Sequence, residues 1–233
     1  MADTSSSNLF KNWDYVYQNW DVFELPWVEK DIHPVLAQKI REFASAEGYA
    51  LDIGCGLGQV SRHLASAGYK VYGIDASDRA INLAKGMTPE GLEIAYMVAD
   101  SVRFVPEVKF DLVVDFLHLH DIQAKDLSVY IDTLLKISAV GATMITTSLS
   151  EKDPTATSTG ERDSHFADCK VYYRSSKQIT DLFFPYAKLI STEIINVGRG
   201  AESYLANLLV FRKTKILGQP PSGCLDTAPV VLP

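Results

Sequence analysis

Three glycines at alternate positions offer the clearest chemistry in this sequence. They stand at Gly54, Gly56 and Gly58 in the stretch YALDIGCGLG, directly after a short apolar segment that alternates like a strand. Glycine lets the backbone turn tightly and lets a ligand approach without a Cβ atom in between. The next segment, from Gln59 to Ala67, has apolar residues four apart, as on one face of a helix. Strand, glycine turn and helix together predict a nucleotide-type binding site.

Two aspartates narrow the type of ligand. Asp52 precedes the glycines, and Asp75 closes the next apolar strand, KVYGID, twenty-three positions later. A carboxylate at that place can accept hydrogen bonds from both ribose hydroxyls. A dinucleotide fingerprint begun at Gly54 would need a glycine where this chain has Gln59, so the observed pattern is D-x-G-x-G-x-G. Because an acid at this position also suits NAD, Asp75 indicates a ribose without choosing the cofactor.

The pattern resembles motif I of the class I S-adenosylmethionine-dependent methyltransferases, over about residues 34 to 214. The resemblance implies S-adenosylmethionine as the cofactor. It also implies that Asp100 and Ser101, at the end of the third strand, bind the adenine amino group and ring edge. A structural glycine turn and a solvated strand end are the alternatives. The cofactor-contacting residues that we expect are Asp52, Gly54, Cys55, Gly56, Gly58, Asp75, Ala76, Asp100, Ser101, Asp115 and Phe116.

Two histidines, His118 and His120, follow the fourth strand in the sequence HLHDI. An ordinary histidine pKa of about 6.5 suits proton removal near neutrality, so both are candidate general bases for an amine or hydroxyl acceptor. We expect an extended segment, in which residues two apart face the same side. Leu119 and His120 match a leucine–histidine pair that the family often has here. The alternative to a role as general base is therefore packing for His120, and for His118 it is lining the cleft without a part in the chemistry.

Metal binding and cysteine chemistry are both expected to be absent. The motif H-x-H-D at residues 118 to 121 contains plausible ligands, but nothing nearby supplies the ordered surroundings of a zinc site. Cys55, Cys169 and Cys224 are an odd set at wide spacing, which predicts neither a disulfide framework nor a metal pair. Cys55 is interpreted as a small turn residue rather than a nucleophile.

Aromatic residues crowd the stretch from Leu9 to Trp27, without a clean helical or strand period. Two interpretations remain open. The stretch is either a fixed cap on the surface of the domain or a lid that closes over the cofactor and excludes water. Tyr17, Trp20 and Trp27, together with Tyr173 from a later segment, are the residues that we expect to contact the acceptor or form the lid.

Composition favours a small-molecule partner. The chain has 233 residues, a net charge of −7 and a pI near 5.2, with no cluster of lysine and arginine. Nucleic-acid duplexes and anionic membranes are therefore poor candidates. The N-terminal sequence has no cationic and apolar leader pattern, and no apolar run approaches the ~20 residues of a membrane span. We expect a cytoplasmic protein that is a monomer or a homodimer.

Alternating strands and helices predict an α/β fold of the Rossmann-like, doubly wound type. We expect a seven-stranded, mostly parallel sheet with helices on both faces. The final apolar runs are joined by only GRGAES, which predicts a hairpin and thus an antiparallel last strand. The expected organisation is a cap or lid over residues 1–33, a methyltransferase domain over 34–214 and a tail over 215–233. The stretch from Leu149 to Tyr173 is the least regular part, in which His165, Phe166, Tyr172 and Tyr173 can face inward.

The resemblance implies a methyltransferase acting on a small-molecule acceptor through an undetermined sulfur, nitrogen or oxygen atom. The segment around Pro26 and Trp27 is similar to the start of thiopurine and tellurite-resistance type enzymes. We expect the acceptor to be neutral or weakly charged, because the only nearby cations are Arg162 and Arg174. Two other functions remain open. One is a protein of this fold that binds the nucleoside as a non-methylating enzyme or scaffold, and the other is a nicotinamide oxidoreductase.

Overall fold

The structure is a computed structural model that describes residues 4–45 and 47–216. Its strands are β1 Tyr49–Ile53, β2 Lys70–Asp75, β3 Ile94–Val98, β4 Phe110–Asp115, β5 Ser138–Leu149, β6 Glu161–Asp163, β7 Lys170–Tyr172, β8 Ala187–Arg199 and β9 Glu202–Lys213. Its helices are α1 Thr4–Asn19, α2 Pro34–Phe43, α3 Gln59–Ser66, α4 Asp78–Gly86, α5 Leu127–Ile137 and α6 Ser176–Phe183. Most of the predicted tail, with Cys224, lies outside the described residues.

Seven strands form one sheet in the order β3-β2-β1-β4-β5-β9-β8. The first five strands in that order pair in parallel, whereas β9 is antiparallel to both of its neighbours. The predicted doubly wound sheet with an antiparallel last strand is therefore confirmed. The short connection between β8 and β9 explains the pairing, because a parallel return needs about a dozen residues or more.

Helices cover both faces of the sheet, as predicted. One apolar cluster packs α5 and α6 onto the sheet, with Tyr130, Phe183 and Phe211 fully buried. A second cluster packs α2 and α3 onto the opposite face through Leu36 and Leu64. Central strand β4 is buried along nearly its whole length because helices lie on both of its sides.

Local sequence signals mark the starts of three helices. Pro34 is at the first position of α2, and Ser77 caps α4 by accepting the Ala80 N–H. The capping box of Ser175 and Gln178 begins α6.

Two regions differ from expectation. The N-terminal aromatic stretch contains α1, a helix in which Trp13, Val16 and Tyr17 have the spacing of one helical face. The helical period is weak in the sequence because Tyr15, which is exposed, is aromatic as well. The irregular stretch after β5 contains a small hairpin, β6 paired with β7, in the described part of the chain.

A buried carboxylate joins the sheet to the segment that bears the histidines. Asp115, at the end of β4, accepts the Leu119 N–H on Oδ1 at 3.0 Å. Its Oδ2 accepts the Tyr130 hydroxyl at 2.6 Å and the Thr146 hydroxyl at 3.1 Å. Burial raises the pKa of Asp115 to about 6. These three donors thus fasten the loop after β4 to both α5 and β5.

The hydroxyl of Tyr130 should contribute to stability through this carboxylate. Tyr130→Phe removes one of the donors to this buried carboxyl group, so we expect the free energy of unfolding to fall by about 1–3 kcal/mol. Chemical denaturation at pH 7.5 measures the change. Tyr15→Phe is the matched control, because Tyr15 is 62% exposed. Equal stability of the two variants would contradict the assignment.

Candidate active site

A cavity opens at the carboxyl ends of the parallel strands, where open α/β sheets bind their ligands. Its wall combines the turns after β1, β2, β3 and β4 with side chains from α1, the β6–β7 segment and the β8–β9 hairpin. Most residues predicted from the sequence meet there. Those in the wall are Tyr17, Trp27, Asp52, Gly54, Cys55, Gly56, Asp75, Ala76, Ser101, Phe116, His118 and His120.

The glycine turn has backbone angles and surroundings that only glycine suits. Gly54 and Gly56 have positive φ values of 66° and 51°. A Cβ atom at Gly54 would lie 2.9 Å from the His118 ring, and one at Gly56 would lie 2.9 Å from the Tyr17 hydroxyl. The sequence-based explanation for Gly56 was close approach of a ligand. In the structure, a side chain of α1 reaches the same space.

Asp75 joins the end of β2 to the glycine turn and to the start of α4, and its carboxylate can still accept further hydrogen bonds. Its Oδ2 accepts the Gly56 N–H and its Oδ1 accepts the Ser77 N–H, each at 2.9 Å. A carboxylate oxygen can accept about two hydrogen bonds, so each oxygen retains a position that a ribose hydroxyl can use. Burial raises the pKa of Asp75, and the backbone donors oppose that shift.

Asp52 and Cys55 have mainly local partners. Asp52 is buried and accepts the Ser61 hydroxyl at 2.6 Å, which ties β1 to the helix after the glycine turn. Burial raises the pKa of Asp52 to about 7. Burial also raises the pKa of the Cys55 thiol well above its usual value. Because the thiolate is the nucleophile, the geometry supports a turn role for Cys55.

Both histidines reach the cavity, but the segment that bears them is not extended as expected. Residues Leu119–Asp121 form a single 3-10 turn. His118 Nε2 lies 2.8 Å from the Ser101 hydroxyl, and His120 Nδ1 is buried without a hydrogen-bond partner in the described part of the chain. Burial lowers the pKa of His118 to about 4 and that of His120 to about 3. Both side chains are therefore neutral at pH 7.

Helix α1 covers the glycine turn. Tyr17 is almost fully buried, and its hydroxyl accepts the Trp27 indole N–H at 3.2 Å. Trp27 meets Trp13 and Phe166 edge to face, with ring centroids 5.8 and 5.0 Å apart. Asp14 anchors the helix, because its Oδ1 accepts the Ser77 hydroxyl at 2.8 Å and the Arg79 N–H at 3.0 Å.

Some predicted residues do not line the cavity. They are Trp20, Gly58, Asp100, Asp115 and Tyr173. The carboxylate of Asp115 serves the buried network at the end of β4, so its geometry does not support contact with the cofactor. Asp100 accepts the Val102 N–H and forms a salt bridge with Arg103. Tyr173 is buried beneath the wall, where its hydroxyl lies 2.8 Å from that of Thr155.

Several wall residues were absent from the expected site. Trp13, Arg162, Glu202 and Tyr204 line the cavity, together with His165 and Phe166, which were expected only to face inward. The helical spacing of α1 could have revealed Trp13. No local pattern could have revealed Glu202 and Tyr204, because they reach the cavity only through the pairing of β8 with β9.

Neither a cluster of metal ligands nor a membrane-spanning helix is found among the described residues. No group of three or more potential ligand side chains that could hold a metal ion occurs within the described ranges. No helix in the same ranges is long and apolar enough to cross a membrane.

Comparison with known proteins agrees with this geometry. Residues 50–140 match a family profile described as "Methyltransferase domain". The 2-heptyl-1-hydroxyquinolin-4(1H)-one methyltransferase of Mycobacteroides abscessus is 31% identical over 123 residues, which is 52% of this chain and 54% of that protein. The chain therefore spans about half the length of this curated relative.

Solved structures extend the likeness to most of the chain. A structure described as "Conversion of a Disulfide Bond into a Thioacetal Group during Echinomycin Biosynthesis" has a TM-score of 0.70 at 26% identity, covering 87% of this chain and 91% of that one. The Burkholderia thailandensis 1,6-didemethyltoxoflavin-N1-methyltransferase, with bound S-adenosylhomocysteine, has a TM-score of 0.68 at 15% identity over 92% of each chain. TehB from Haemophilus influenzae shares the fold at a TM-score of 0.65 and 15% identity, covering 86% of this chain and 66% of its own.

These findings confirm the resemblance drawn from the glycine motif. Residues 50–140 carry the methyltransferase-domain match, and solved S-adenosylmethionine-dependent methyltransferases share the fold over most of the chain. The likeness to the tellurite-resistance type holds at the level of the fold.

Asp75 should contribute strongly to cofactor binding if its free acceptor positions hold the ribose. Asp75→Asn replaces a charged acceptor by an amide, and we expect binding of S-adenosylhomocysteine to weaken by about 1.5–3 kcal/mol. Isothermal titration calorimetry measures the loss. Asp132→Asn, which changes an exposed residue of α5, should bind normally. Unchanged affinity of Asp75→Asn would remove the ribose contact.

Proposed function

We propose that this protein transfers the methyl group of S-adenosylmethionine to a small-molecule acceptor in the same cavity. One observation carries the proposal, namely that the wall has two chemically different sides. The glycine turn, Asp75 and Ser101 form a nucleoside side. Aromatic rings from α1 and the loops, with His118 and His120, form the other side.

Methyl transfer from a sulfonium is an in-line displacement, so the cofactor supplies the reactive carbon. The protein has to align the acceptor and exclude water. The edge-to-face rings of Trp13, Trp27 and Phe166 provide an apolar surface for both tasks. An acceptor placed between these rings and His118 would lie above the glycine turn.

The histidines are suited to accept a proton, because their lowered pKa values keep them neutral across the usual assay range. A base of pKa about 4 is weak, however, so it assists most when the acceptor proton becomes acidic during the reaction. A thiol acceptor needs little such help, since its pKa of about 8.5 allows partial ionisation at neutral pH.

Named relatives support a small-molecule acceptor. The curated relative acts on a hydroxyquinolone by its name, and the toxoflavin enzyme acts on a small heterocycle. Their names differ in the molecule methylated, so they support the class of substrate and leave the acceptor atom open. They favour methyl transfer over the non-methylating alternative.

A direct test is S-adenosylhomocysteine formation from S-adenosylmethionine with a panel of small thiols, amines and hydroxyl compounds. We expect product with at least one acceptor class. Binding of S-adenosylhomocysteine without turnover on any of them would instead favour a nucleoside-binding protein. Absorbance of the deproteinised supernatant would separate an adenosyl compound from a nicotinamide.

His118 is proposed as the general base for a nitrogen or oxygen acceptor. With such an acceptor, His118→Gln should lower turnover by about 10²-fold, because proton removal is lost. Since the pKa of His118 is about 4, its base form persists as pH falls from 8 to 5, and only lower pH should protonate it. A thiol acceptor predicts a much smaller loss, which shrinks further as pH rises.

pH–rate profiles of the wild type and His118→Gln measure both effects. His63→Gln is the control, because His63 is on α3 away from the cavity wall. Equal activity of wild type and His118→Gln at pH 6 would remove His118 from the mechanism.

Helix α1 is proposed to act as a lid, since its aromatic residues lie over the glycine turn while Asp14 and Asn12 supply hydrogen bonds to other segments. Asp14→Ala removes the two hydrogen bonds that join α1 to the start of α4, so we expect about 1 kcal/mol or less of stability per bond to be lost. Turnover should fall about 10-fold as the helix loosens and water enters.

A turnover assay of S-adenosylhomocysteine formation and chemical denaturation measure the changes in turnover and in stability on the same samples. Tyr15→Ala, on the exposed face of the same helix, is the control. A large loss of stability with unchanged turnover of the folded fraction would indicate a fixed cap.

A further inference from the structure

One cation faces the cavity without forming a salt bridge to any described residue, although it lies near enough to Asp153 to help lower the pKa of that carboxyl group. Among the described wall residues, Arg162 is the only lysine or arginine. It is the middle residue of β6, where alternation turns it away from Glu161 and Asp163, which pair with Lys170. In the described chain, no carboxylate forms an ion pair with Arg162.

Aromatic rings hold the Arg162 guanidinium in place, but few of its N–H groups have hydrogen-bond partners in the described part of the chain. Its carbon lies 5.1 Å from the ring centre of Tyr204 and 5.9 Å from that of Tyr173, which orients the group by cation–π contact. Nη1 lies 3.4 Å from His165 Nε2, and Nε is buried without a hydrogen-bond partner among the described residues. A guanidinium has five N–H donors, so most of them remain available to a ligand.

A chain of hydrogen bonds through His165, Glu202 and Tyr204 positions this arginine. The Arg162 N–H can donate to His165 Nε2, which leaves His165 Nδ1–H to donate to Glu202 Oε1 at 3.2 Å. The Tyr204 hydroxyl donates to the other oxygen of Glu202. Glu202 is thus occupied by two donors, and its charge orients His165 rather than pairing directly with Arg162.

We propose that Arg162, flanked by the rings of Tyr173 and Tyr204, binds one anionic oxygen group of the acceptor, such as the carboxylate of an aromatic acid. The inference rests on the proposed function and names its substrate class. Buried donors without partners are costly, and a carboxylate would satisfy two of them in the bidentate geometry that guanidinium favours. The nearby rings of Trp27 and Phe166 provide an apolar surface for the planar remainder of such a molecule.

Position favours the acceptor over the cofactor as the source of this anion. Arg162, His165, Glu202 and Tyr204 come from β6, the loop after it, and the β8–β9 hairpin. None belongs to the glycine turn or to the strand ends that carry Asp75 and Ser101. Arg162 also contributes to the lowered pKa of His120, so the cation lies near the histidine side of the cavity. A single arginine suits one carboxylate better than a phosphate, for which a cluster of cations is usual.

Matched aromatic probes test the inference by binding alone, so that methyl transfer is not required. Thiosalicylate is compared with thiophenol, and 4-hydroxybenzoate with phenol, by calorimetry in the presence of saturating S-adenosylhomocysteine. In the wild type we expect each carboxylate to bind at least 10-fold more tightly than its neutral counterpart. Arg162→Gln should remove that preference, and Arg162→Lys should restore part of it, because lysine supplies the charge without the planar fork.

Arg79→Gln is the control for loss of a positive charge, because Arg79 is exposed on α4 outside the cavity. It should retain the preference for the carboxylate probes.

Three results with the aromatic probes would overturn the assignment. They are equal wild-type affinity for both members of each pair, no measurable binding of either carboxylate, and a preference that survives in Arg162→Gln.

Titration of S-adenosylhomocysteine into each variant separates this inference from the proposed function. We expect Arg162→Gln to keep wild-type affinity for it. If that affinity falls as far as the carboxylate affinity does, Arg162 binds the carboxylate of the cofactor and the acceptor assignment is overturned. Failure of the wild type itself to bind S-adenosylhomocysteine would contradict the proposed function instead, whatever the aromatic probes show.

Discussion

The hydrogen bonds that the Asp75 carboxylate accepts are the interactions on which the glycine turn and its surroundings depend. Through the Gly56 N–H the carboxylate sets the glycine turn against the end of β2, and through the Ser77 N–H it holds the start of α4. The Ser77 hydroxyl in turn donates to Asp14, so the same series of hydrogen bonds reaches α1. Four separate segments of the chain therefore meet around one carboxylate, and a shift in any of them would alter the space above the glycine turn.

The two sides of the cavity have different origins in the chain. The glycine turn, Asp75 and Ser101 lie within residues 50–140, the region that matches the methyltransferase domain. Much of the opposite side of the wall comes from α1, β6 and the β8–β9 hairpin, which lie outside that region. Burial acts on both sides of the cavity. It lowers the pKa values of His118 and His120, so that both are neutral at pH 7, and it strengthens charge interactions within the cavity.

Local sequence determined the features that depend on neighbours along the chain. The glycine turn, the caps at Ser77 and Ser175, and the last hairpin were predictable, because backbone angles, short connections and capping hydrogen bonds act over a few residues. The doubly wound, mostly parallel sheet followed from the alternation of strands and helices, whereas the order of its strands is known only from the structure. The position of Asp75 and Ser101 in the cavity wall was predictable because the carboxyl ends of parallel strands must share one edge of the sheet.

Tertiary structure alone decided which side chains form the acceptor wall and how they ionise. Arg162 and Tyr204 meet only because β6 and β9, forty residues apart in sequence, approach the same cavity. Asp115 ends β4 as Asp75 ends β2, but the hydroxyls of Tyr130 and Thr146 occupy the Asp115 carboxylate in the core. The pKa of His118 depends on burial beneath other segments. Sequence specified residue types and local geometry, whereas long-range packing set the contacts and dielectric surroundings that give those residues their roles.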